Sequence, residues 1–100
     1  MRDLSGTCYV YMLCDPETEK PFYIGIAKNP WSRFYSHCHE KWSAAWPVLQ
    51  RLVEKFGQDD ILKIYRECPD RSAAFDLEYK LVSSTPGLLN RPYRRVRARK

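Results

Sequence analysis

The sequence predicts an α+β domain with the element order β-β-α-α-β-α. Three observations lead there. Two short β-branched and aromatic runs near the N-terminus are separated by turn residues. Two helical segments with recognisable starts then follow one another. A third alternating run comes next and leads directly into a last capped helix. A hairpin followed by paired helices and a single further strand argues against a parallel sheet of βαβ units.

Residues 8 to 14, Cys-Tyr-Val-Tyr-Met-Leu-Cys, read as a strand with Tyr9, Tyr11 and Leu13 on one face and Val10 and Met12 on the other. Asp15-Pro16-Glu17-Thr18-Glu19-Lys20 is turn chemistry, and Phe22 to Ile26 is a second short strand, so a hairpin with a longish loop is expected. Asn29-Pro30 supplies an N-cap and a proline at the first helical position, which opens a helix to about Lys41. On it Trp31, Phe34, Tyr35 and Cys38 form the apolar stripe. Ser43 is expected to cap a second helix through Phe56, with Val48, Leu49, Leu52, Val53 and Phe56 inward, Pro47 tolerated in the first turn and Gly57 as terminator. Ile61 to Cys68 alternates like a third strand. Asp70 or Ser72 caps a third helix to about Ser84, stopped by Pro86-Gly87.

One hundred residues suit one domain, and 44% hydrophobic residues with three Trp, seven Tyr and four Phe suffice for one modest core. No stretch approaches the roughly 20 uncharged apolar residues that cross a bilayer, and the first residues lack the apolar run of a signal peptide. A soluble, cytoplasmic protein with no membrane partner is therefore expected. Cys8, Cys14, Cys38 and Cys68 form no C-x-x-C pair and read as small buried hydrophobes. A zinc site from His37, Cys38 and His39 is awkward, because adjacent helical residues point to different faces.

The net charge of +5 is concentrated at one end. Arg91, Arg94, Arg95, Arg97, Arg99 and Lys100 follow Asn90 without an acid; apart from them, 11 of the 17 cations face 12 acids. A domain over 1–90 and a basic tail over 91–100 are expected, the tail suited to phosphate contact, though basic ends also serve plain solubility.

Glu78 is the residue least at home in a mere scaffold. At about 100° per residue it falls between Ala74 and Val82, inside an apolar arc from Leu77 through Leu81 to Phe75. A buried charge needs a cation, a metal or a cleft, and an ion pair with a nearby Arg or Lys is the plain alternative to a functional role. Arg33, His37 and Lys41 follow i, i+4, i+8 spacing and form a basic stripe flanking the aromatic one; it either overlooks a cleft or is a solvated face. Tyr9, Tyr11 and Tyr23 lie on the two strands before that helix, where tyrosines ordinarily just pack.

Tyr9-Val10-Tyr11 followed by Phe22-Tyr23-Ile24-Gly25 resembles the signature of the GIY-YIG nucleases. Tyr9 stands where that signature has glycine and Val10 where it has isoleucine. The run Tyr23 to Asn29, then Arg33 and His37 four apart, resembles the family's passage from its second motif into its first helix. Glu78 stands where the family carries its metal-binding glutamate and Asn90 where it has a trailing asparagine. The likeness spans about residues 8 to 90.

The resemblance implies a three-stranded antiparallel sheet flanked by helices, an endonuclease dependent on Mg²⁺ or Mn²⁺, and DNA, double-stranded or branched, as partner. With one well-placed carboxylate, a single metal at Glu78 is expected rather than a two-metal clamp. Arg33 is expected to hold a phosphate oxygen, Tyr11 to act as general base, Tyr23 to position water or phosphate, and His37 to accept from a tyrosine hydroxyl or touch phosphate. Asn90 is expected to fix the end of the Glu78 helix, with Lys28, Lys41, Asn90, Arg91, Arg94, Arg95 and Arg97 along the DNA. The rival reading is a nucleic-acid-binding module that keeps the fold without catalysis.

Overall fold

A computed structural model describes residues 7–41 and 43–89. The elements are β1 (Cys8–Cys14), β2 (Pro21–Ala27), α1 (Pro30–His39), α2 (Trp46–Phe56), β3 (Leu62–Cys68) and α3 (Arg71–Ser84), in the expected order. The strands make one sheet in the order β2-β1-β3, with both pairings antiparallel.

Strand alternation sorts the core into two layers. Tyr11 and Leu13 join Phe34, Leu49, Leu52 and Ile61 on the face covered by α1 and α2. Val10, Ile24 and Ile26 meet Ala74, Val82 and Leu88 on the face covered by α3. As the central strand, β1 is buried on both sides, which accounts for its nearly unbroken apolar composition. Fully buried side chains such as Leu13, Ile24, Leu49 and Ile61 contribute about 1.5–3 kcal/mol each relative to exposure, against the conformational entropy lost on folding.

Local signals fix the helix ends. The Asn29 side chain accepts from the Ser32 N–H at 3.1 Å with Pro30 first in α1, and the Asp70 carboxylate accepts from the Ala73 N–H at 2.8 Å to open α3. Gly57 closes α2 with φ 84°, its N–H donating to the Val53 carbonyl. After α3 the chain returns along β2, where the Leu89 N–H donates to the Phe22 carbonyl at 2.8 Å. Among the described residues no helix is long and apolar enough to cross a membrane. All four cysteines are buried and free, and burial pushes the Cys8, Cys14 and Cys38 thiols up, away from reactivity.

Several expectations differ from the fold. The apolar stripe of α1 is narrower than its spacing predicts: Phe34 and Cys38 are buried, but Trp31 is 54% and Tyr35 64% exposed. The buried arc has instead turned toward Pro30 and His37. The helix also ends at His39, so Lys41 lies beyond it, with its ammonium 5.9 Å from the Trp46 ring centre, and the basic stripe does not continue to i+8. Ser43 is not the cap of α2; Ala45 holds that position without a side-chain bond. Finally, β3 does not alternate in burial. It is an edge strand exposed from Lys63 to Glu67, and the register passes from Ile64–Tyr11 to Arg66–Val10, leaving Tyr65 as a bulge.

Candidate active site

The site begins with a cross-strand pair. Tyr11 of β1 faces Gly25 of β2, and the phenol lies directly over the glycine. A Cβ on residue 25 would stand 2.6 Å from Tyr11 Oη and 2.8 Å from Cζ, so only glycine leaves room for the ring. Tyr11 is 1% exposed, and its hydroxyl lies 2.9 Å from His37 Nε2.

His37 comes from the buried side of α1 and is held at both nitrogens. Its Nδ1 lies 2.5 Å from Ser43 Oγ, and that oxygen also accepts from the Ala45 N–H at 3.1 Å. Two proton arrangements satisfy the chain. Either Nδ1–H donates to Ser43 and Nε2 accepts from the Tyr11 hydroxyl, or Ser43 donates to Nδ1 and Nε2–H donates to Tyr11 Oη. In the first, Tyr11 points its proton at a base. In the second, the imidazole stabilises negative charge on the phenol oxygen. Burial, and secondarily the Arg33 guanidinium, push the imidazole down from the ordinary 6.5 to about 4. It is therefore neutral near neutral pH rather than a cation of a basic stripe.

Tyr23 is the half-buried member of the group. Its ring lies edge-on to His37 at 4.6 Å between centres and stacks at 6.4 Å from Tyr11. Arg33, one turn before His37, is exposed, and among the described residues it enters no ion pair, so its fork is open to an anion. Tyr11, Tyr23 and His37 are thus in direct contact with Arg33 beside them.

Lys28 is exposed at the end of β2, and Lys41 is exposed beyond α1. Glu78 projects from α3 on the same side as Ala74 and Val82 and is 0% exposed, as its place in the apolar arc implied. Asn90, Arg91, Arg94, Arg95 and Arg97 lie outside the described residues. Among the described residues no group of three or more His, Cys, Asp or Glu side chains could hold a metal ion. The donor set fits, at most, a hard cation with one protein carboxylate and otherwise water or substrate oxygens, not an all-protein cage.

The sequence model of the GIY-YIG catalytic domain matches residues 7–87, from just ahead of β1 to the turn after α3. The chain belongs to the GIY-YIG family. No curated protein and no solved structure matches it. GIY-YIG domains are a nuclease family that acts on nucleic acid and generally uses divalent metals. In this GIY-YIG domain the register explains the two-part signature. The tyrosine ending the first half, Tyr11, and the glycine ending the second, Gly25, are partners across the hairpin. Val10 and Ile24 point the other way into the α3 layer, both at 0% exposure.

Two residues of this site escaped the sequence. The position of Ser43 suits a helix cap, and nothing local signals that its hydroxyl meets an imidazole six residues back. Gly25 stood in the motif, but its need for a missing Cβ depends on the strand register.

Proposed function

We propose that this GIY-YIG domain is a divalent-metal-dependent DNA endonuclease that hydrolyses a phosphodiester bond, with Tyr11 as general base. The observation carrying this reading is the Tyr11–His37–Ser43 chain beside Tyr23 and an open Arg33. The bond that forms joins a water oxygen to phosphorus; the bond that breaks releases the 3′ oxygen, which takes its proton from solvent.

In this reading the attacking water gives a proton to Tyr11 Oη as the phenol passes its own to His37 Nε2. His37 is a transient rather than a resting acceptor, since burial disfavours imidazolium. Tyr23, nearer solvent, positions the water, and Arg33 holds a non-bridging phosphate oxygen in a forked bond. Glu78 would hold Mg²⁺ or Mn²⁺, which when bound neutralises the phosphate and the departing oxygen. Lys28, Lys41, Asn90, Arg91, Arg94, Arg95 and Arg97 contribute contacts along the DNA, double-stranded or branched, with a salt-dependent affinity.

One observation favours the rival, a nucleic-acid-binding module without catalysis: Glu78 is sealed from solvent, so a hydrated ion reaches it only if α3 and its surroundings give way. Supercoiled plasmid incubated with Mg²⁺ or Mn²⁺, beside EDTA and Glu78→Ala controls, separates the two. Metal-dependent nicking that disappears in the variant supports the nuclease. Binding without cleavage across metals and plasmid, branched or single-stranded DNA sinks it. Under the same conditions Tyr11→Phe is expected to lose more activity than Tyr23→Phe; the reverse order would transfer the base to Tyr23.

A further inference from the structure

Apart from the Tyr11 site, two depressions on the described surface differ in character. The one of about 430 Å³ at the hairpin turn is bordered by Asp15, Glu19 and Asp60 against a single Lys63, a sign of charge that repels a phosphate backbone. The other, about 340 Å³, is lined by Tyr9, Lys28, Asn29, Pro30, Trp31 and Ile64, with one cation and no acid. It adjoins the Tyr11 site, because Tyr9 is two residues along the same strand face and Ile64 is the cross-strand partner of Tyr11.

The aromatic surface here is large and fixed in place. The Trp31 indole meets Phe34 edge-to-face, with ring centres 6.0 Å apart and planes at 83°, yet more than half of the residue is open to solvent. One and two turns further along the same helix, Tyr35 and His39 are also exposed, their rings stacked at 4.0 Å. The His39 Nδ1–H donates to the Tyr35 carbonyl at 2.8 Å, which holds the imidazole in that stack. Trp31, Tyr35 and His39 therefore form an i, i+4, i+8 row of outward rings. The first turn of α1 has no acid, and Lys28 precedes its cap. Flat exposed rings bordered by a lysine, with no acid in the depression, match a nucleic-acid strand whose bases are unpaired; a paired duplex keeps its base faces inside the stack.

We propose that the depression at Trp31 is a binding site for an unpaired nucleobase, stacked on the indole with its phosphate on Lys28, so that the domain prefers DNA with single-stranded character beside the bond it cuts. The preference for a cut site rests on the nuclease reading; the base site itself does not.

The test is fluorescence anisotropy in EDTA, where no cleavage occurs, with a labelled single strand of about 12 nucleotides and a blunt duplex of the same sequence. Trp31→Ala is expected to weaken single-strand binding about 5- to 150-fold, the loss of one base–aromatic stack, and duplex binding less than about twofold. Trp31→Phe keeps a ring and is expected to retain most of the affinity. Lys28→Ala lowers the salt slope on the single strand by about one. Unchanged single-strand affinity in Trp31→Ala, equal loss on both DNAs, or no single-strand binding by the wild type overturns the proposal. Plasmid cleavage is scored separately. A protein that cuts but ignores Trp31→Ala refutes only the base site, while one that never cuts but shows the selective loss refutes only the nuclease.

Discussion

Replacing Gly25 by alanine adds a single methyl group at the most constrained point of the site. That carbon would lie 2.6 Å from Tyr11 Oη, 2.8 Å from Cζ and 3.1 Å from Cε2, all inside van der Waals contact. Relief requires the ring to move by about 1 Å at its hydroxyl end. An exposed tyrosine would simply swing away. Tyr11 is 1% exposed, tied to His37 at 2.9 Å, and packed in the same cluster as Leu13 and Phe34. Overpacking of this kind costs about 1–3 kcal/mol. Stretching the Tyr11–His37 bond leaves the buried His37 Nε2 poorly satisfied, a further 1–3 kcal/mol or so. These costs sum to about 2–6 kcal/mol, offset only in part by the roughly 0.5–1 kcal/mol that a strand gains from losing a glycine.

Urea unfolding of wild type, Gly25→Ala, Tyr11→Phe and the double variant measures both the cost and its origin. Because Tyr11→Phe removes the atom in closest conflict, Gly25→Ala should cost less in that background, with a coupling of at least about 0.5 kcal/mol. A displaced Tyr11 is also expected to lower plasmid cleavage about 100-fold. If Gly25→Ala lies within about 0.5 kcal/mol of wild type, or its cost is the same with and without the Tyr11 hydroxyl, the steric reasoning is refuted.

Three further outcomes are expected. Ser43→Ala removes the Nδ1 partner of His37 and the acceptor of the Ala45 N–H, so it should cost about 1–3 kcal/mol in urea unfolding and lower kcat more than it raises KM, with Ser43→Thr restoring much of both. The His37 imidazole is neutral in the fold down to about pH 4 but takes a proton near 6.5 when unfolded, so its contribution is intact above pH 6.5 and is lost as pH falls toward 4. That loss amounts to about 3 kcal/mol, read as the difference in pH-dependence between wild type and His37→Gln; parallel curves would contradict it. Glu19 sits at φ 63° in the β1–β2 turn, so Glu19→Gly should raise the midpoint of thermal unfolding, a gain of up to about 1 kcal/mol, whereas a neutral or lower midpoint would show the turn to be unstrained.

The element order, the helix starts at Asn29 and Asp70, the stop at Gly57 and the faces of β1 were all legible in the sequence. Each depends on residues within a few positions: a side chain capping its own helix, a glycine free to take positive φ, alternation along one strand. Glu78 was legible for the same reason, since one carboxylate among apolar residues at helical spacing has nowhere to go but inward. The exposure of Trp31 and Tyr35 was not. Helical periodicity gives the width of an apolar arc but not its bearing on a sheet, and here the arc turned far enough to bury His37 and free the two rings. Nor could spacing show that Ser43 meets His37, or that β3 is an edge. Those follow from which strand lies in the centre and from a register that puts Tyr11 over Gly25. Local chemistry set the pieces; long-range pairing decided which polar groups share a buried space, and with it what the site can do.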